Sequence, residues 1–357
     1  MKRIKLIGET KTVMSSPYSL HNYFAWPSIC RLKNGRIAVT ASGFRLEHIC
    51  PFGKAVIAFS EDECGSFSLP APVIDTPLDD RDSGVCAFGE SSLIVTSFNN
   101  PVSFQRGCNP ENAYVQSYLD TVTPEDEKRF LGSTFRISED NGVSFSDIHI
   151  SPVTSPHGPC VLSDGSLLWV GRNFSEEGYG GIEAVRVHPD GMTEPVGRVE
   201  NVTENGETPL LCEPHAVQLP NGDIVCHIRA EGGERTPFFT TYQSISHDGG
   251  KSWTKPERLL GLQGGAPAHL LLHPSGMLLS VYGYREKPYG IKVMLSTDNA
   301  KSWQTGLDLH INGVDSDLGY PASVCLSDGS IYTVFYAHKD PSSPAEIFGQ
   351  RWTVENL

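Results

Sequence analysis

No stretch of this sequence stays apolar long enough to span a membrane. Positive charge is scarce too. Lysine and arginine number 28 against 42 aspartates and glutamates, a formal net charge of -14, and so acidic a chain offers no basic face to the phosphates of nucleic acid. A solvated acidic surface accounts for the balance. The opening Met1-Lys2-Arg3-Ile4-Lys5 is basic but has no apolar run behind it, so no signal peptide is read and the expected location is the cytoplasm. The nine cysteines are odd in number, scattered and without metal-site spacing. They read as small buried side chains in a reducing compartment, and nothing calls for a metal or a cofactor. Only 39% of the residues are hydrophobic, while Gly reaches 35 and Pro 25. That turn-rich balance suits many short strands, and the expected class is all-β.

What the chain does have is a repeated octapeptide. It runs from Ser60 to Phe67, Ser138 to Phe145, Ser246 to Trp253 and Ser296 to Trp303, each copy reading Ser-x-Asp-x-x-x-Ser-aromatic. Such a segment suits a corner between two strands: the Asp carboxylate caps turn amides, Gly permits positive φ, and the aromatic ring plugs the sheet beneath. Coincidental Asp-Gly turns would not fix both serines and the aromatic ring in every copy.

Between these corners lies a second repeat, two apolar strands around a short turn. There are six: Ser28 to Val39, Val85 to Phe98, Pro159 to Val170, Ala216 to Ile228, Leu270 to Tyr282 and Ser323 to Phe335. Their turns recur about every 55 residues with one longer gap, the period of a four-stranded blade. A six-bladed β-propeller forming a single domain over residues 1–357 is therefore expected. The third blade is expected to turn on His188-Pro189-Asp190-Gly191 in place of the octapeptide. The sixth has only Glu346 to Val354 after its hairpin, so Ile4 to Val13 is expected to supply the missing outer strand and close the ring. The longer gap holds residues 99–130, where Thr123 to Arg129 reads as a capped short helix with Pro in its first turn. This insertion lies on the face opposite the octapeptides, as a lid over a site or as a surface excursion.

Strand direction brings the starts of the innermost strands and the ends of the second strands together on that same face, near the axis. The strand starts supply Asp79-Asp80-Arg81-Asp82, Pro156-His157, Glu213-Pro214-His215, Ala268-His269 and Asp317-Leu318-Gly319-Tyr320. The strand ends supply Arg45 with Glu47 and His48, Arg172, Arg229 with Glu231, Arg285 and His338. A funnel lined in this way suits a sugar, which is held by many directional hydrogen bonds and charged groups. Arg81, His157, His215 and His269 are substrate-binding candidates by position. The histidines also have a reading as hydrogen-bonded spacers, and none shows a metal-ligand spacing. Arg81 is expected to be held by Asp80 and Asp82.

The octapeptide resembles the Asp box of the sialidase (neuraminidase) superfamily, where each copy joins the two outer strands of a propeller blade. The resemblance covers nearly the whole chain and implies a glycan or glycoside substrate. In that family a Glu near the start of the fourth blade is followed, across a hairpin, by an Arg that grips the substrate carboxylate; Glu213 and Arg229 match that spacing. A catalytic Tyr heads the last blade, and Tyr320 to Gly329 looks like its segment. The resemblance thus implies Tyr320 as nucleophile and Glu213 as the base that activates it, with Arg285 and Arg45 as candidates for further family arginines. Each also has a structural reading: Glu213 and Arg229 as an ion pair in the channel, Tyr320 packed beside Pro321.

Three departures accompany the match. Phe24-Ala25-Trp26-Pro27 stands where the family has Phe-Arg-Ile-Pro, and Tyr336 stands where a Glu orients that missing Arg. The acid/base Asp is absent as well; Glu47 or His48 lies nearby, with Asp82 in the next blade as a rival. The activity implied is that of an exo-acting, retaining glycoside hydrolase whose terminal sugar is acidic, modified or altogether different. The alternatives are a non-catalytic glycan-binding propeller and a polysaccharide lyase using Arg229, His215 and Tyr320.

Overall fold

A computed structural model of the chain describes residues 2–175 and 178–356. Its strands form six antiparallel sheets, the blades of a propeller. Blade 1 comprises Tyr23–Arg31, Ile37–Arg45, Lys54–Ser60 and Ala71–Ile74. Blade 2 comprises Val85–Phe88, Ser92–Asn99, Gly132–Ser138 and His149–Ser151. In blade 3 the innermost strand is split into Val153–Thr154 and Cys160–Val161, both paired with Leu167–Ser175. Gly178–Val187 and Thr193–Arg198 complete it, joined through the expected His188 to Gly191 turn. Blade 4 runs Leu210–Gln218, Ile224–Glu231, Phe239–Ser246, Glu257–Arg258, and blade 5 runs Ala268–Leu272, Leu278–Tyr284, Gly290–Ser296, Gln304–Ile311. Blade 6 takes Gly319–Cys325, Ile331–His338 and Ala345–Asn356 from the end of the chain and Lys2–Met14 from its start. The expected closure is therefore present, with register from Lys2 opposite Asn356 to Met14 opposite Ile347.

All four octapeptides turn between the outer two strands of their blades, and their hydrogen bonds explain the spacing. In the first, Ser60 Oγ accepts from the Cys64 amide at 3.0 Å and donates to Asp62 Oδ1 at 2.8 Å. Asp62 in turn accepts from the amide of Ser66 at 2.9 Å and from its hydroxyl at 2.7 Å. The same set recurs around Asp140, Asp248 and Asp298. These donors hold each of the four carboxyls down to about 2. Glycine matters less than expected. The left-handed fourth and fifth positions are occupied by Glu63 and Cys64, Asn141 and Gly142, Gly249 and Gly250, and Asn299 and Ala300. The side-chain bonds fix the corner.

The core sits between neighbouring blades. The seam of blades 6 and 1 buries Phe24, Trp26, Val39, Val334, Tyr336 and Ile347 in one cluster, each apolar side chain contributing about 1.5–3 kcal/mol by its removal from water. The nine cysteines are free thiols, five of them buried and Cys108 exposed. Among the described residues no helix is long and apolar enough to cross a membrane.

The insertion of blade 2 folds as three short helices, Val102–Cys108, Ala113–Leu119 and Pro124–Phe130. The last has the expected Pro in its first turn and a capping box between Thr123 and Asp126. The helices lean on the loop that follows Arg45. Asn109 Nδ2 donates to the Ile49 carbonyl at 3.1 Å, and Phe52 stacks on Tyr114 at 4.9 Å between ring centres.

Candidate active site

Four residues at the head of innermost strands share one backbone device. Trp26, Asp82, Glu213 and Tyr320 have φ of 53°, 48°, 48° and 47°, the left-handed region that a non-glycine side chain enters at a cost of about 1–2 kcal/mol. Pairing with the second strand breaks register at three of them, between Ala25 and Ser28, Cys212 and His215, and Gly319 and Ala322. Each of those three precedes a proline. On a strand that faces the axis and has no inner neighbour, the missing proline N–H is harmless, and the bulge turns the preceding side chain into the funnel.

Tyr320, Glu213 and Arg229 meet there. Tyr320 Oη donates to Glu213 Oε1 at 2.6 Å, and Arg229 Nη1 donates both to Glu213 Oε2 at 2.7 Å and to Tyr320 Oη at 3.1 Å. Arg229 Nη2 lies 2.5 Å from Glu231 Oε1. Burial, then the Glu213 charge, push the Tyr320 phenol well above its ordinary value, so it holds its proton until a base removes it. Burial opposes the charge of Arg229, but Glu213 and Tyr320 outweigh it. Arg285 donates from Nε to the Leu318 carbonyl at 3.2 Å, with its guanidinium 5.7 Å from the Tyr320 ring. Among the described residues no carboxylate lies within salt-bridge distance of it. Asp82, Glu213, Arg229, Glu231, Arg172 and Cys212 line a cavity of about 210 Å³. Burial, opposed by Arg81 and helped by Glu213, raises the Asp82 carboxyl to about 7, and among the described residues its Oδ1 is buried without a partner.

A second cluster adjoins Trp26, whose indole lies 4.9 Å from the His48 ring and 6.4 Å from the Tyr320 ring. Its hub is Asp317. Oδ1 accepts from Tyr336 Oη at 2.9 Å and pairs with His48 Nδ1 at 3.1 Å; Oδ2 accepts from Tyr23 Oη at 2.7 Å and pairs with His338 Nε2 at 3.2 Å. Burial alone would raise the Asp317 carboxyl, but the bonds from His338 and His48 carry it well below the usual range. His338 also bonds the Ser343 carbonyl through Nδ1 at 2.7 Å, and with both nitrogens facing acceptors it is held at about 9, as imidazolium. The strand-end reading had put Asp317 and His338 in the funnel without a role. Tyr336 had counted only as a loss.

Other candidates do not face a ligand. Arg45, expected to bind substrate, is wholly buried, with Nη1 2.6 Å and Nη2 2.9 Å from the two oxygens of Asp79. Its Nη2 also donates to the His48 carbonyl at 2.8 Å, so it braces the loop that carries His48. His157, His215 and His269 are buried together below the funnel, His215 stacked on His269 at 4.3 Å. Burial keeps all three neutral. His215 Nδ1 accepts from the Leu270 amide at 2.9 Å and His269 Nδ1 from the Ser323 amide at 3.4 Å. Their Nε2 atoms therefore carry the protons and cannot ligate a metal. Among the described residues no group of three has metal-binding spacing. Arg81 is held by its neighbours only in part, its charge acting on the Asp82 carboxyl. Asp80 is taken up by the amide and hydroxyl of Thr76, and the Arg81 guanidinium lies 4.2 Å from the Trp26 ring, with Nη2 3.5 Å from His48 Nε2.

Fold and funnel together define a sialidase-like propeller built on Asp boxes. The model of the BNR repeat-like domain matches residues 85–333, more than half of the chain, and the protein belongs to that family. No curated protein matches the sequence. Among solved structures, a protein of unknown function from Dyadobacter fermentans DSM 18053 is 21% identical with a TM-score of 0.75, over 99% of both chains. The NanB sialidase of Streptococcus pneumoniae is 13% identical with a TM-score of 0.69, over 98% of this chain and 71% of that one. The intramolecular trans-sialidase of Ruminococcus gnavus is 13% identical with a TM-score of 0.64, over 98% and 99%. Likeness at these identities establishes the fold.

Proposed function

We propose that this protein is an exo-acting glycoside hydrolase that works by retention, with Tyr320 as nucleophile. The observation that carries the reading is the 2.6 Å bond from Tyr320 Oη to Glu213 Oε1 with Arg229 bridging the two. A buried phenol with a raised pKa is a poor nucleophile until a carboxylate takes its proton, and Glu213 is placed to do so. Tyrosine nucleophiles belong to glycosidases of the sialidase kind, whose anomeric centre carries a carboxylate. The neighbours named as sialidases support that class of sugar. Arg229 and Arg285 are then the cations for an acidic group, and the proton for the leaving oxygen comes from His48 or Asp82.

Ala25 and Trp26 alter the expected sugar. Ala25 is wholly buried and supplies no cation, while the buried Trp26 packs against His48, Tyr320 and Tyr336. The sugar is accordingly acidic but modified, or of another kind than a plain sialoside. The lyase alternative loses its base, because His215 is buried below the funnel with Nδ1 committed to a backbone amide.

The test is turnover of a panel of aryl glycosides, sialic, uronic and neutral, by the wild type and Tyr320→Phe. Release of the aryl alcohol from at least one member, falling a hundredfold or more in the variant (roughly the scale of losing a key catalytic group), is the expected result. Equal rates for the two proteins would remove Tyr320 from the mechanism. Binding of a glycan without turnover on any member would leave a binding propeller.

A further inference from the structure

The site holds two candidates for the proton-transfer group, Asp82 and His48. Asp82 is buried and shares its cavity with Glu213 and Arg229. His48 lies on the loop after Arg45, its ring 4.9 Å from the Trp26 indole and its side chain 46% exposed. In a retaining displacement the acid and the nucleophile act from opposite faces of the anomeric carbon. His48, exposed and outside the cavity that holds Glu213, is the one placed to reach a leaving group; Asp82 is buried beside Glu213.

The neighbours of His48 also fix which of its nitrogens carries the hydrogen when the ring is neutral. Tyr23 Oη lies 3.1 Å from Nδ1, but its single hydrogen is committed to Asp317 Oδ2 at 2.7 Å. Toward Nδ1 it can only accept. Asp317 Oδ1, 3.1 Å from the same nitrogen, is likewise an acceptor. On the other side of the ring, Arg81 Nη2 lies 3.5 Å from Nε2, and a guanidinium can only donate. Both sets of partners therefore demand the tautomer with the hydrogen on Nδ1 and the lone pair on Nε2. Arg45 fixes the backbone beneath by its bond to the His48 carbonyl at 2.8 Å.

We infer that His48, oriented by Asp317, is the acid/base of this site in place of a carboxylate, exchanging its proton through Nε2. The inference rests on the hydrolase reading above. In the first half-reaction Glu213 takes the Tyr320 proton and the phenolic oxygen bonds to the anomeric carbon. The bond from that carbon to the leaving oxygen breaks, and the oxygen keeps the electron pair and takes the proton from Nε2 of the His48 imidazolium. In the second, Nε2 takes a proton from water as the water oxygen bonds to the anomeric carbon. The bond to Tyr320 breaks, and the phenolate recovers its proton from Glu213. Sugar and alcohol leave, and every group returns to its starting state. Asp317 is a positioning residue, with Tyr336 and the His338 imidazolium holding its own carboxylate in place.

The groups facing His48 are Asp317 and Tyr23 at Nδ1 and Arg81 at Nε2, with Arg45 behind. Burial and the two arginines outweigh Asp317 and set the imidazole below its ordinary value. Activity on alkyl glycosides, which need a protonated leaving group, is therefore expected to fall as pH rises through a value under that of a free histidine. Asp317→Ala moves that limb to still lower pH.

Two readouts test the pairing. Long-range proton–nitrogen NMR of the histidine-labelled protein is expected to show His48 as the Nδ1–H tautomer at neutral pH, and to lose that signature in Asp317→Ala, with Asp317→Asn as the milder variant should the alanine fail to fold. An Nε2–H tautomer, or one indifferent to both substitutions, overturns the role of Asp317. On any glycoside the wild type cleaves, His48→Gln is expected to lower kcat/KM about 10²–10⁴-fold for an alkyl leaving group and far less for a nitrophenyl one. That leaving-group dependence appearing in Asp82→Asn instead would overturn the role of His48. No turnover on any glycoside would remove the hydrolase reading and the acid/base role together, while the NMR readout judges the Asp317–His48 pair by itself.

Discussion

Ala25 is enclosed in the core between blades 6 and 1, with no exposed surface, beside Trp26 and Tyr336, which are buried too. Restoring an arginine there would insert a long charged side chain into packed apolar volume. Ala25→Arg is therefore predicted to cost about 1–3 kcal/mol from overpacking alone, seen as a lower Tm, with no gain in sialoside turnover. A variant of unchanged stability that turned over sialosides faster would show that the space had been kept for an arginine. The same residues mark what the sequence could reveal. Glu213, Arg229 and Tyr320 are legible because residue type, hairpin spacing and a following proline coincide at Glu213 and Tyr320. Trp26 has that proline signal too, but its contacts with His48, Arg81, Tyr320 and Tyr336 bring together distant parts of the chain. Arg45 reads as a funnel cation at a strand end. Only the fold shows Asp79 closing over it, 34 residues on.

At the scale of the element, the Asp-box corners carry a pH dependence of known sign. The carboxyls of Asp62, Asp140, Asp248 and Asp298 sit at about 2 when folded, below roughly 3.9 for an unfolded aspartate. A group depressed in the folded state contributes stability that is fully present above its unfolded value and is lost as pH falls through the folded one. Tm is thus predicted to be level with respect to these groups down to about pH 4, then to drop toward pH 2. Asp248→Asn should lower Tm at neutral pH and flatten part of the drop, whereas an unchanged acid limb would mean that the corners do not govern it. The serines and aspartates of these corners were legible in sequence because each makes a specific bond. The role given to glycine was overstated, since Glu63, Cys64, Asn299 and Ala300 take left-handed positions without it.

For the whole molecule, the decisive feature is the way the ring is closed. Lys2–Met14 is the outer strand of blade 6 and leads directly into blade 1, so the pairing from Lys2 opposite Asn356 to Met14 opposite Ile347 ties the two ends of the chain across one seam. Lys2 also bonds Gln304 of blade 5, through its amide at 2.9 Å and its carbonyl at 2.7 Å. That ladder is the outer edge of blade 6, and the candidate site is assembled at the inner edge against blade 1: Tyr23, Trp26 and His48 come from blade 1, Asp317, Tyr320 and His338 from blade 6 and the turn before it. Deleting residues 2–11 would strip the last strand from the ladder and leave Trp352 without its partner Leu6. Tm is predicted to fall by several degrees, on the order of 5 °C or more for a chain of this size. A loosened blade 6 shifts both Tyr320 and Asp317, and the shift of Asp317 from His48 bears on protonation of the leaving group alone. The truncated protein, assayed well below its own Tm, should therefore lose more activity on alkyl than on nitrophenyl glycosides. Equal losses on the two would mean that the strand supports the fold without holding the two halves of the site in register.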